Sequence, residues 1–153
     1  LLTKVKKIEM LALRKLLRLS HREALLLMQA AVLLPMVRLA LKFITVSRLK
    51  DFGSRSLNDP RSPQLPLQTT ARMVRIAAHR GFYNFKCLDQ SLVLHWLLRR
   101  QGVDARIVFG ARRGEEQMEL HAWVEVDGVA IGEDDRVNHG FSPFEKLTPS
   151  ISN

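Results

Sequence analysis

At 153 residues the chain is long enough to bury a core without covalent staples, and it has the size of one catalytic domain with an extension. Hydrophobic residues make up 46% and charged residues 25%, as in an ordinary globular protein. One cysteine excludes an intrachain disulfide, so a reduced, cytoplasmic setting is expected.

The net charge is +9, from 24 basic and 15 acidic side chains. Much of the excess lies in Lys4, Lys6, Lys7, Arg14, Lys15, Arg18, Arg22, Arg38, Lys42, Arg48 and Lys50. Such a balance suits an acidic partner, an anionic membrane surface or nucleic acid, or simply a solvated helical face. Nucleic acid is not expected, because the aromatics are not interleaved with these charges and no familiar binding motif is present. The opening Leu1-Leu2-Thr3-Lys4 has neither an initiator Met nor a signal-peptide pattern, as expected of a trimmed chain.

Residues 4–19 predict an amphipathic helix, with Val5, Ile8, Leu11, Ala12, Leu16 and Leu19 at helical spacing. Ser20-His21-Arg22-Glu23 is a capping box that starts a second helix over about residues 21–49. Pro35 is expected to end it, kink it or begin a new one. The apolar run 24–37 is shorter than the roughly 20 residues of a membrane span, so a buried or partner-binding helix is expected and no transmembrane segment. Residues 53–70, with Pro60, Pro63 and Pro66, predict a linker between a helical region at 1–52 and a core at 71–153, the two packed as one unit.

Thr69 or Thr70 can cap a short helix ending near Gly81. Residues 87–101 predict a helix closed by Gly102. Residues 104–110 alternate as a strand, 112–117 form a polar loop, and 118–126 with 129–133 form a hairpin about Asp127-Gly128. The tail, with Gly140, Pro143 and Pro149, is expected to be irregular, and no internal repeat is present.

Cys87 falls at a helix start, where unpaired amides and the helix dipole favour thiolate, and Lys86 stands beside it. Its own backbone amide is a candidate oxyanion donor, with Asn84 and Gln90 as side-chain candidates. The bland alternative is a buried, inert thiol. His121 is the candidate base, against the alternative that a lone strand histidine is structural. On its strand, Ala122, Val124 and Val126 point one way and His121, Trp123 and Glu125 the other; either set could face a core helix. His95 lies two turns along the helix from Cys87, about 12 Å at 1.5 Å per residue. His21, His79 and His139 have no acid or thiol in a convincing relation, and no pair has metal-ligand spacing, so neither metal nor cofactor is expected. Turn register selects the orienting acid: a two-residue loop puts Asp134 opposite His121, whereas a three-residue loop or a bulge puts Glu133 there, with Asp135 a distant third.

Two stretches carry a family resemblance. Cys87-Leu88-Asp89-Gln90-Ser91-Leu92, running on to Arg99-Arg100-Gln101-Gly102-Val103-Asp104-Ala105-Arg106, is followed by Leu120-His121-Ala122-Trp123-Val124-Glu125-Val126-Asp127-Gly128. In this order and spacing they resemble the transglutaminase-like cysteine peptidases of bacterial lasso-peptide biosynthesis, the B proteins, over about residues 70–145 including Phe141-Ser142-Pro143-Phe144. The Ser20-His21-Arg22-Glu23 helix is similar to that family's amino-terminal helices.

The resemblance implies an α+β, papain-like core in which the nucleophile's helix packs on a small antiparallel sheet, with an N-terminal helical extension. It implies Cys87 as nucleophile, His121 as general base and acid, and Glu133 as orienting acid; relatives often carry Asp at the position of Glu133, and this departure keeps Asp134 as the alternative. It further implies removal of the leader from a precursor peptide in the bacterial cytoplasm. No strand-rich module precedes residue 20, as in the stand-alone build that uses a separate leader-binding winged-helix protein. The basic helices at 4–50 then become candidates for docking that protein or the partner cyclase.

Overall fold

The computed structural model describes residues 19–49, 65–80, 84–114, 117–132 and 140–144. Three helices, α1 (His21–Ala40), α2 (Leu67–Arg80) and α3 (Cys87–Arg100), precede four strands, β1 (Ala105–Arg113), β2 (Met118–Val126), β3 (Val129–Ile131) and β4 (Ser142–Pro143). The strands form one antiparallel sheet in the order β3-β2-β1-β4. α3 lies on β1 and β2, α2 packs beside α3, and α1 packs on both α2 and α3. This is the α+β arrangement expected, with the cysteine helix on a small antiparallel sheet. The expected helix at 4–19, all but its last residue, and most of the linker at 53–70 lie outside the described residues.

α1 begins at the predicted cap, where the Glu23 carboxylate accepts from the Ser20 amide at 3.0 Å and also holds Arg72 of α2 at 2.8 Å. It continues through Pro35, contrary to an end or restart there, and stops at Ala40 rather than 49; a turn at 41–44 separates it from a helical turn at 46–49. Burial offsets the backbone bond that Pro35 removes: Leu34 is fully buried, with Leu26 and Ala30 behind it. The expectation that the apolar run is too short to span a membrane meets a 20-residue helix that is long and apolar enough by length and composition. One face of that helix is committed to the core through Leu26, Ala30 and Leu34. The opposite face leaves Leu25, Met28, Val32, Met36 and Leu39 exposed.

α2 starts at Leu67, two residues before the expected cap. The Pro66 carbonyl takes the Thr69 and Thr70 amides, and the Thr70 hydroxyl instead accepts from the Gln101 side chain at 3.1 Å. Gln101 also accepts from the Leu65 amide, so one buried amide side chain joins the start of α2 to the end of α3. α3 ends where predicted, with Gly102 at φ +78°.

β1 runs three residues past the expected Gly110, because Arg112, assigned from sequence to a loop, faces Glu119 across the β1–β2 ladder and bonds it at 2.7 Å. The tail is not wholly irregular either, since β4 pairs Pro143 with Gly110 and Ser142 with Ala111.

Candidate active site

The polar atoms of Ala122 bring the cysteine to the histidine. Ser91 lies one turn after Cys87 on α3, and its hydroxyl donates to the Ala122 carbonyl at 2.8 Å. The Ala122 amide bonds the Cys87 sulfur. One residue of β2 is therefore gripped at both backbone groups by one face of α3, and its chain neighbour His121 bonds the Cys87 thiol. The sequence reading missed Ser91, although its i, i+4 spacing from Cys87 was visible.

These contacts hold the thiol below its ordinary pKa. The hydrogen bond from His121 is the largest cause; partial burial opposes it, and the Ala122 amide, the His121 charge and the Leu88 amide act in the same direction as the first. Leu88 belongs to the first turn of α3, so the helix start contributes through a specific amide. Lys86, credited from sequence, is not among the causes.

The rest of the helix start is braced. Asp89, almost wholly buried, accepts from the Lys86 amide and from Arg38 of α1, both at 2.9 Å. Arg38, grouped from sequence with a general basic surface, thus ties the helical arm to the residues flanking Cys87. Gln90 donates to the Phe85 carbonyl at 2.9 Å, and Asn84 is exposed.

On β2 the small apolar set faces α3. Val124 is 1% exposed and shares a core cluster with Leu92, Leu94 and Ile107. His121 and Trp123 stack with ring centroids 6.0 Å apart, and the Phe141 ring lies tilted 5.0 Å from that of His121. The Trp123 indole N–H is held by Glu125 at 2.8 Å. Gly110, opposite His121, gives this stack its room: a Cβ there would stand 2.7 Å from both the Trp123 ring and the Ser142 carbonyl. Neither Gly110 nor the Phe141 contact was predicted.

The hairpin turns through two residues, Asp127 at φ 51° and Gly128 at φ 76°, in the register Val124 with Ile131. Continued, that register would bring residue 134 opposite His121. The described pairing ends at Ile131, and Gly132 turns to φ +78° with its α-carbon so close to Ala71 that a Cβ would stand 2.5 Å from that methyl. Glu133, Asp134 and Asp135 all lie outside the described residues.

Cys87 and His121 open onto a cleft of about 260 Å³ lined by Ala71, Val74, Arg75 and His79 of α2, Gln90, Ser91 and Leu94 of α3, and Val124, Ile131 and Gly132. His79, given no relation to the thiol from sequence, lines the same cleft as Cys87. His21 is exposed at the start of α1, His95 is buried within α3, and His139 lies outside the described residues.

The model of the transglutaminase-like superfamily matches residues 30–146, well over half of the chain. The chain belongs to the transglutaminase-like superfamily. No curated protein and no solved structure matches it. For a transglutaminase-like domain the α3–β2 seam has the expected parts: a thiol at a helix start, bonded to an imidazole on the neighbouring strand. The match begins inside α1, so the family's domain takes in the helix that carries Arg38.

Proposed function

We propose that this transglutaminase-like protein is a cysteine peptidase that removes the leader from a lasso-peptide precursor in the bacterial cytoplasm. One observation carries the chemistry: the Cys87 thiol is bonded to His121 and lowered in pKa at the mouth of a cleft. The lasso assignment rests on the sequence resemblance around Cys87 and His121. The Cys87 thiolate attacks the carbonyl joining leader to core, forming a C–S bond while negative charge moves to oxygen. Backbone amide at Cys87 receives that charge. The C–N bond then breaks, imidazolium of His121 gives its proton to the departing core amine, and the leader remains as a thioester. Water, deprotonated by His121, cleaves the thioester, releasing leader carboxylate and thiolate. Glu133 orients the imidazole, with Asp134 the alternative. The freed amine is the substrate of a partner cyclase.

Residues 1–50 hold eleven of the basic and two of the acidic side chains, so the entire net charge of +9 resides there. Together with the bare apolar face of α1, this favours an acidic, apolar-faced partner, and we assign that role to the separate leader-recognition protein. Loss of that association in Met28→Glu with Met36→Glu supports the assignment; unchanged association argues against it.

The direct test is cleavage of precursor with the leader-recognition protein present. Full activity in Cys87→Ala or His121→Ala sinks the proposal. A loss in Glu133→Gln with Asp134→Asn near normal identifies the acid. Transfer of the acyl group to an added amine, with no free leader acid formed, would instead assign the same thiol to an acyltransferase or another amidase. A thiol that no electrophile labels in the folded protein would favour a non-enzymatic adaptor.

A further inference from the structure

The cleft beside Cys87 has walls of one kind and a rim of another. Ala71, Val74, Leu94, Val124 and Ile131 make small and aliphatic walls. Arg75 and His79, four residues apart on one face of α2, are both exposed at its edge. No carboxylate stands among the described lining residues. Several other arginines near the core are matched: Arg38 by Asp89, Arg72 by Glu23, Arg99 by Asp104 and Arg112 by Glu119. Arg75, one turn from Arg72, is in no such pair among the described residues. A guanidinium left unmatched at the mouth of a partly desolvated cleft is a site for a carboxylate, which it can take bidentately.

We propose that this cleft selects a peptide with an acidic side chain close to the cleaved bond, its carboxylate held by Arg75 with His79 as a second donor. A small aliphatic side chain of the same segment lies against Ala71 and Val74. A volume of about 260 Å³ suits one or two side chains rather than a folded element. This rests on Cys87 being the nucleophile; it adds the class of side chain that the site reads.

Because Cys87 is the only cysteine, alkylation reports on this site alone. The experiment compares second-order rates for iodoacetate, an anion, with those for neutral iodoacetamide, using the uncharged N-acetylcysteine amide as the free-thiol reference. The ratio of the two rates cancels the fraction of thiolate, so it reads the charge around the sulfur, His121 included, and the variants separate the share of the rim. The expected ratio exceeds that of the free thiol by about threefold at low ionic strength, the effect of one cation several ångströms away in a water-like dielectric. It falls toward the free-thiol value in Arg75→Gln, falls less in His79→Gln, and changes little in Lys86→Gln.

A wild-type ratio equal to that of the free thiol overturns the proposal. A ratio that falls only in Lys86→Gln overturns it as well. Failure of both reagents to label the folded protein overturns the nucleophile itself, and this inference with it.

Discussion

The α3–β2 seam and the helix α1 are built on opposite terms. At the seam, directional bonds do the holding: Ser91 to the Ala122 carbonyl, the Ala122 amide to the Cys87 sulfur, Asp89 to the Lys86 amide. Between its charged ends α1 carries apolar residues on both faces, and burial holds it on one side only. Where α1 packs on α3, an ion pair, Arg38 with Asp89, ties the two regions together. The difference teaches that chemistry here is fixed by a few atoms with no substitutes, while the arm is fixed by area, which many residues can supply.

That contrast is broken most severely at the thiol and its base. Under the proposed function, Cys87→Ala and His121→Ala are expected to lower leader cleavage by about a thousandfold or more, with melting temperature little changed, as read by single-turnover kinetics and calorimetry. An equal loss of stability would mean that the seam, too, is held mainly by packing.

On α1 the two faces should separate. Leu34→Ala, at a fully buried position, is expected to cost about 2–5 kcal/mol in denaturant unfolding. Met36→Gln, 60% exposed two residues away, should stay within about 0.5 kcal/mol. A large cost at Met36 would show that the outer face is covered within the chain.

Ser91→Ala leaves a buried carbonyl without its donor, at a cost of about 1–3 kcal/mol. It should also move the alkylation profile of Cys87 to higher pH, because the Ala122 amide is no longer held against the sulfur. The smallest effect sharpens the same point through pH alone. A thiol pKa held below its ordinary value keeps thiolate present at pH values where a free thiol is protonated, and loses it only as pH falls through the lowered value. Iodoacetamide labelling of wild type should therefore persist further toward acid than that of N-acetylcysteine. In His121→Ala, without the largest cause of the shift, the profile should move back up.

The sequence by itself determined the elements whose signals are local. Periodicity and Gly102 gave α3 its bounds, Asp127-Gly128 gave the hairpin, and the position of Cys87 at a helix start gave the thiol one source of activation, the Leu88 amide. Capping chemistry located the start of α1 at Ser20. Where sequence reasoning erred, a distant partner had overridden a local preference. Thr70 bonds Gln101 instead of capping α2, Arg112 joins a strand because Glu119 lies opposite, and α1 passes through Pro35 because Leu34 is buried in the core.

Only the tertiary structure decided how the site is assembled. Nothing local in Ser91 announces that it grips Ala122, nothing in Arg38 that it braces Asp89, and nothing in Gly110 that the Trp123 ring lies over it. Arg75 and His79 read as two more basic residues on a helix until α2 brings them to the cleft of Cys87. Local bonds are encoded within a few residues and can be read there; contacts across 31 or 51 residues depend on how the elements pack, which no single stretch of sequence carries.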